Sequence, residues 1–169
     1  MRAAILVSSD RCSRGEQQDR SGPAVEATLR ERLGAEIVRT RVLPDDLDSL
    51  AACFAEWSRE RPAIDLIVST GGTGLSPRDV TPEAARSVIE RDHPALMELA
   101  RLRCRERSPD RSPRAYLSRG VAGVASHSLI LTLPGSPAGA VETLEALVDL
   151  LPHAISLIRG SAADHAQAP

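Results

Sequence analysis

The feature that most constrains this chain is a short apolar run, Asp65-Leu-Ile-Val-Ser-Thr70, that passes directly into Gly71-Gly72-Thr73-Gly74. A run of this kind reads as a buried strand, and glycines at its end free the backbone for a turn or for the close approach of a ligand. Comparable runs span Ala3 to Ser8, Glu36 to Leu43 and Ser128 to Leu133, with segments of helical period between them. Strand and helix alternate from end to end without a repeat or low-complexity linker. That pattern predicts a single α/β domain of three layers, a mostly parallel central sheet with helices on both faces. With 169 residues, 42% of them hydrophobic, the chain can bury a sizeable core. The expected domain is 1–160, with a small, polar tail at 161–169.

Helix signals fill the intervals. Ser21-Gly22-Pro23 opens a helix with Ser21 as its cap, Val25, Leu29 and Leu33 on one face, and Gly34 at its end. Asp46 caps a second helix whose Leu47, Leu50, Phe54 and Trp57 form an apolar stripe. Thr81-Pro82-Glu83 starts a third, with the threonine hydroxyl as cap, and Ala95 to Arg107 forms a fourth. A short strand is expected just before Arg119. Pro134-Gly135-Ser136-Pro137 is a tight turn leading to a helix near Gly139, which Pro152 should kink or restart.

Composition excludes several functions. All 21 basic residues are arginine, balanced by 23 acids to a net charge of −2, and Phe54, Trp57 and Tyr116 are the only aromatics. A nucleic-acid binder needs a basic surface or stacking platforms, so neither duplex nor single-stranded partners are expected. No apolar run approaches the roughly 18 residues that cross a bilayer, so we expect no membrane partner and a cytoplasmic location. Cys12, Cys53 and Cys104, like His93, His127, His153 and His165, lack metal-ligand spacing.

Candidate chemistry lies in the loops. Thr70 to Gly74 stands after a strand and before a helix, where backbone N–H groups can bind phosphate; a turn needed only for chain reversal is the alternative. It lacks both the GK[ST] ending of a Walker loop and a complete dinucleotide fingerprint. Asp45 follows the second strand and Asp79 the glycine loop, so both can gather at the carboxyl ends of parallel strands. Two carboxylates beside a phosphate loop suit Mg²⁺, although Asp45 could instead start a helix and Asp79 pair with an arginine. Between Arg101 and Arg119 seven arginines face only Glu106 and Asp110, an excess that could meet an anion but is more often a solvated face.

Four motifs in order carry a resemblance: Thr70-Gly-Gly-Thr-Gly74, Pro77-Arg-Asp-Val-Thr-Pro82-Glu-Ala84, Leu117-Ser-Arg-Gly120 and Leu133-Pro-Gly-Ser-Pro137. With Ser9-Asp10-Arg11, Asp19-Arg20-Ser21-Gly22-Pro23 and Pro44-Asp45, the chain resembles the molybdopterin adenylyltransferase family from Ile5 to about Gly160. The resemblance implies a homotrimer that uses MgATP to adenylylate the terminal phosphate of molybdopterin, with pyrophosphate released and the product handed to a molybdenum-insertion protein. By the same resemblance, Asp45 and Asp79 are catalytic and hold Mg²⁺. Thr70, Gly71, Gly72, Thr73, Gly74, Pro134 and Gly135 bind the nucleotide. Ser118, Arg119 and Ser136 take the pterin-phosphate side, joined by Arg11 and Ser13. Ala138 stands where the family often has Lys or Asn. A trimeric carrier or scaffold of the same fold is the alternative role.

Overall fold

Parallel strands need crossover connections, and successive crossovers that run in opposite directions along a sheet put their helices on opposite faces. The computed structural model describes residues 1–107 and 112–160. The elements are β1 (Arg2–Ser8), α1 (Asp10–Ser13), α2 (Ser21–Leu33), β2 (Glu36–Leu43), α3 (Leu47–Ser58), β3 (Leu66–Thr70) and α4 (Thr81–Arg86). They continue with β4 (Arg91–Asp92), α5 (Pro94–Arg107), a 3-10 turn (Ser112–Leu117), β5 (Ala122–Ala125), β6 (Ser128–Leu133), α6 (Pro137–Glu145) and α7 (Leu151–Ile158). Among the described residues one six-stranded sheet has the order β2-β1-β3-β6-β5-β4. β1, β2, β3 and β6 are parallel, and β5 runs antiparallel to both its neighbours.

Alternation along each strand divides the interior into two cores. Ala3, Ile5, Val7, Leu66, Val68, Leu129 and Leu131 point to one face, where Val25, Leu29, Met97, Ala100, Leu144 and Leu151 cover them. Ala4, Leu6, Ile67 and Ile130 point to the other, under Leu50, Phe54, Trp57, Ala84 and Ala85. Full burial of a Leu, Ile or Phe contributes about 1.5–3 kcal/mol, so both layers are needed to hold the sheet. The three-layer α/β architecture expected from the sequence is therefore the one observed.

Several local expectations are corrected. Ser21 is the first helical residue of α2 rather than its cap; Asp19 Oδ1 accepts from the Ser21 and Gly22 N–H groups, each at 3.0 Å. Thr81 does not cap α4 either, since it is the first residue inside the helix and its buried hydroxyl has no hydrogen-bond partner among the described residues. Leu47 leaves the stripe of α3 and is 43% exposed, while Cys53 joins the core. Between β1 and α2 lies the single turn α1, capped by Ser9. The segment before Arg119 is a 3-10 turn, not a strand. Asp46 does cap α3, accepting from Ser49 N–H at 2.9 Å, and Pro152 starts the separate helix α7. The expected tail, 161–169, lies outside the described residues.

Candidate active site

Strand order reverses on either side of β1, with β2 to one side and β3 to the other, and ligands of open α/β sheets bind beyond the carboxyl ends of strands at such a point. A cavity of about 540 Å³ opens there. Its walls include Ser8 at the end of β1, Asp45 after β2, Gly71 and Gly72 after β3, and Gly135 and Ser136 after β6. The starts of two helices also face it. Asp19, Arg20 and Ser21 come from the head of α2, and Ser136, Pro137 and Ala138 from that of α6, where positive helix ends favour an anion.

The glycine loop is fixed by its neighbours. Thr70 Oγ1 donates to Pro134 O at 2.7 Å and Gly71 N–H to Leu133 O at 3.2 Å, which joins the ends of β3 and β6. Gly71 has φ +98°, and a Cβ there would stand 2.1 Å from Ser8 O. Gly72 has φ +61°, with Thr81 Oγ1 only 2.3 Å from where a Cβ would sit. Both glycines are thus required by the protein's own backbone and side chains, before any ligand arrives. Beyond Gly71, the N–H groups of Gly72, Thr73 and Gly74 form no hydrogen bond among the described residues, and of the three residues Gly72 lines the cavity.

Asp45 is held without a cation. Its Oδ1 accepts from Ser8 Oγ at 2.6 Å and its Oδ2 from Asp10 N–H at 3.0 Å, and among the described residues no arginine pairs with it. Asp10, a residue the loop reading passed over, returns the contact by accepting from Asp45 N–H at 3.2 Å. Its carboxylate is paired with Arg78 at 2.7 Å, and the hydrogen bond from that guanidinium holds Asp10 below the usual carboxylate range. Only its place in Ser9-Asp10-Arg11 could have pointed to it. Asp79 belongs to the same loop as Arg78 but faces inward on that loop, where Oδ2 accepts from Ser76 N–H at 2.8 Å.

Asp79, Thr70, Thr73, Gly74, Pro134 and the candidates that follow do not line the large cavity. Arg11 and Ser13 are exposed on α1, and Ser13 Oγ donates to Asp10 O at 2.9 Å. Ser118 and Arg119 stand beside the glycine loop on its other flank: Thr73 Oγ1 and Ser118 Oγ are 3.0 Å apart, and Arg119 N–H donates to Thr73 O at 2.8 Å. Arg119 lines a separate cavity of about 280 Å³ with Arg86, Met97 and Arg101. Pro134 supplies the carbonyl that receives Thr70. Ala138, small and exposed, leaves that part of the large cavity's wall open.

The arrangement can cradle phosphates on backbone donors, with hard oxygen ligands beside them. Among the described residues no group of three His, Cys, Asp or Glu side chains is placed to hold a metal by itself. No helix among them is long and apolar enough to cross a membrane.

Comparison with known proteins agrees with this geometry. Residues 4–153 match the model of the probable molybdopterin binding domain. The chain is 37% identical over 154 residues to the molybdenum cofactor synthesis protein cinnamon of Drosophila melanogaster; this covers 91% of the chain but only 25% of that longer protein. It is also 37% identical over 158 residues to a molybdopterin adenylyltransferase of Helicobacter pylori, covering 93% of the chain and 87% of the relative. The crystal structure of MoaB, a molybdopterin biosynthesis enzyme of Thermus thermophilus, superposes with a TM-score of 0.85 at 45% identity, over 94% of this chain and 96% of that one. The ordered loops, the cavity at the strand ends and these matches together place the chain in the molybdenum cofactor biosynthesis family built on the probable molybdopterin binding domain.

Proposed function

We propose that the chain is a molybdopterin adenylyltransferase. A terminal phosphate oxygen of molybdopterin attacks the α-phosphorus of ATP, the bond from that phosphorus to the bridging oxygen breaks, and pyrophosphate leaves. The observation that carries this reading is the meeting of Asp45, the Gly71-Gly72 turn and the head of α6 around one cavity at the strand switch point. The family membership and the full-length relative of that name support it.

An anionic nucleophile approaching an anionic phosphorus needs alignment and charge neutralisation more than a base. Backbone N–H groups at Gly72, Thr73 and Gly74 would orient the nucleotide phosphates, and Pro134 and Gly135 would border them. The pterin phosphate would sit towards Ser136, which lines the cavity, with Arg11 and Ser13 at the outer edge. Asp45 and Asp79 fit Mg²⁺ because neither forms an ion pair among the described residues, and this ion takes one or two carboxylates together with phosphate oxygens. Bound there, the ion would offset charge on the phosphates.

Incubation with molybdopterin and MgATP, followed by mass analysis of the pterin, tests the reading. A product heavier by one adenylyl group supports it, and its absence with properly loaded substrate favours the carrier. Cytoplasmic location, a homotrimer and delivery of the product to a molybdenum-insertion protein belong to the same proposal. Light scattering that gives a single-chain mass would remove the trimer.

A further inference from the structure

We infer that Arg119 is a positioning residue for the glycine loop and for Asp79, not a contact for the pterin phosphate. The inference rests on the adenylyltransferase reading for its catalytic consequence, but its geometry stands alone. The Arg119 guanidinium reaches three places at once: Nε donates to Gly74 O at 2.7 Å, one terminal nitrogen donates to Asp79 O, and the other pairs with Glu83 at the start of α4. Its own N–H donates to Thr73 O. A single residue therefore ties both ends of the 73–79 loop to the helix that follows.

The strut has its own support. Arg101 on α5 donates through Nη2 to Ser118 O at 3.1 Å and to Gly120 O at 3.3 Å, gripping the carbonyls on either side of Arg119. Gly120 packs so tightly that a Cβ would stand 2.3 Å from Thr132 O. Glu83 feels burial, which alone would raise its pKa, yet the Arg119 contact leaves it below the usual carboxylate range and charged. A planar fork with divergent donors can satisfy two carbonyls and a carboxylate together, whereas a lysine ammonium is a point charge that cannot span them. With the guanidinium occupied in this way, and with Arg119 lining the smaller cavity but not the larger, the residue is poorly placed to receive a substrate phosphate in the larger one.

Arg119→Lys and Glu83→Gln, compared with wild type, test this by amide hydrogen exchange and by calorimetry with MgATP and with molybdopterin separately. For Arg119→Lys, exchange of the hydrogen-bonded Ser76, Arg78 and Asp79 amides within 73–80 should quicken about tenfold while β1, β3 and β6 keep their protection. MgATP should bind about tenfold more weakly and kcat should fall, with molybdopterin affinity and its KM within about twofold of wild type. Glu83→Gln should give smaller changes of the same pattern, and it alone decides the matter if Arg119→Lys does not fold. Unchanged loop exchange with a loss of about tenfold or more in molybdopterin affinity would overturn the inference and make Arg119 a substrate contact. Wild-type protein that makes no adenylylated product would overturn the activity reading instead, and the exchange of 73–80 would still decide whether Arg119 braces the loop.

Discussion

Ser8 Oγ donates to Asp45 Oδ1 at 2.6 Å, so the last residue of β1 holds the carboxylate that follows β2. The neighbouring Asp10 N–H takes the other oxygen at 3.0 Å. Asp45 is thus positioned by two neutral donors, with no ion pair to it among the described residues. Two elements that are adjacent in the sheet create this, because β1 and β2 pair in register from Ala4 to Ser8 and end side by side.

Asp45→Asn should fold and lose most adenylyl transfer. The amide keeps one accepting oxygen where two are used, by Ser8 Oγ and Asp10 N–H, so the variant should also lose about 1 kcal/mol of stability in urea unfolding. Ser8→Ala, which removes only one donor, should keep measurable turnover. Wild-type turnover in Asp45→Asn would take the carboxylate out of the mechanism.

Asp79→Asn should still bind ATP but transfer the adenylyl group poorly, whereas Asp46→Asn should be close to wild type. Asparagine is as good a cap as aspartate, so the second change alters charge nearby without harming α3. Equal loss in both variants, measured as initial rates, would point to general charge rather than to position.

Gly71→Ala should cost more than about 3 kcal/mol or prevent folding, because a methyl would meet Ser8 O in addition to the strain of positive φ. Gly34→Ala is the matched control. Its φ is +57° but nothing lies within 4 Å of the added carbon, so denaturant unfolding should register a loss of only about 1 kcal/mol.

How far the sequence disclosed these features differs by element. β2 and β6 were legible to the residue, because alternating or wholly apolar runs ended at clear turn signals. β5 was not: Ala122-Gly-Val-Ala125 lacks a β-branched run, and its hairpin to β6 turns through Ser126 at φ +52° where glycine or asparagine is the usual signal. β4 has only two residues at the sheet edge. Asp45 and the glycine loop stood out because each follows a strand. The use of Arg119 was hidden, since its partners Gly74, Asp79 and Glu83 come from a loop and a helix far away in sequence.

Arg78→Ala should raise the Asp10 pKa towards the ordinary value, since the Arg78 hydrogen bond is the largest influence lowering it. A depressed carboxylate stabilises the folded state above its unfolded pKa, and that contribution disappears as pH falls through the folded value, below about 4. Carboxyl NMR titration of wild type and variant checks the direction. An unchanged Asp10 titration would mean that the ion pair does not persist in solution.

Cys12 lines the large cavity and is partly exposed, so bound MgATP should protect it from alkylation. Cys53 supplies an internal reference. Burial pushes its thiol up to about 11, so at pH 8 it carries little thiolate and should react only on unfolding. Mass mapping of alkylated peptides reads both sites. Equal labelling of Cys12 with and without nucleotide would move the nucleotide away from this cavity.

The most direct measurement of the central claim is the mass of molybdopterin recovered after incubation with the protein, ATP and Mg²⁺. The account predicts a pterin heavier by one adenylyl group, with stoichiometric pyrophosphate, and near-complete loss of both in Asp45→Asn. Unmodified molybdopterin and no pyrophosphate, from folded protein that binds both ligands, would contradict it.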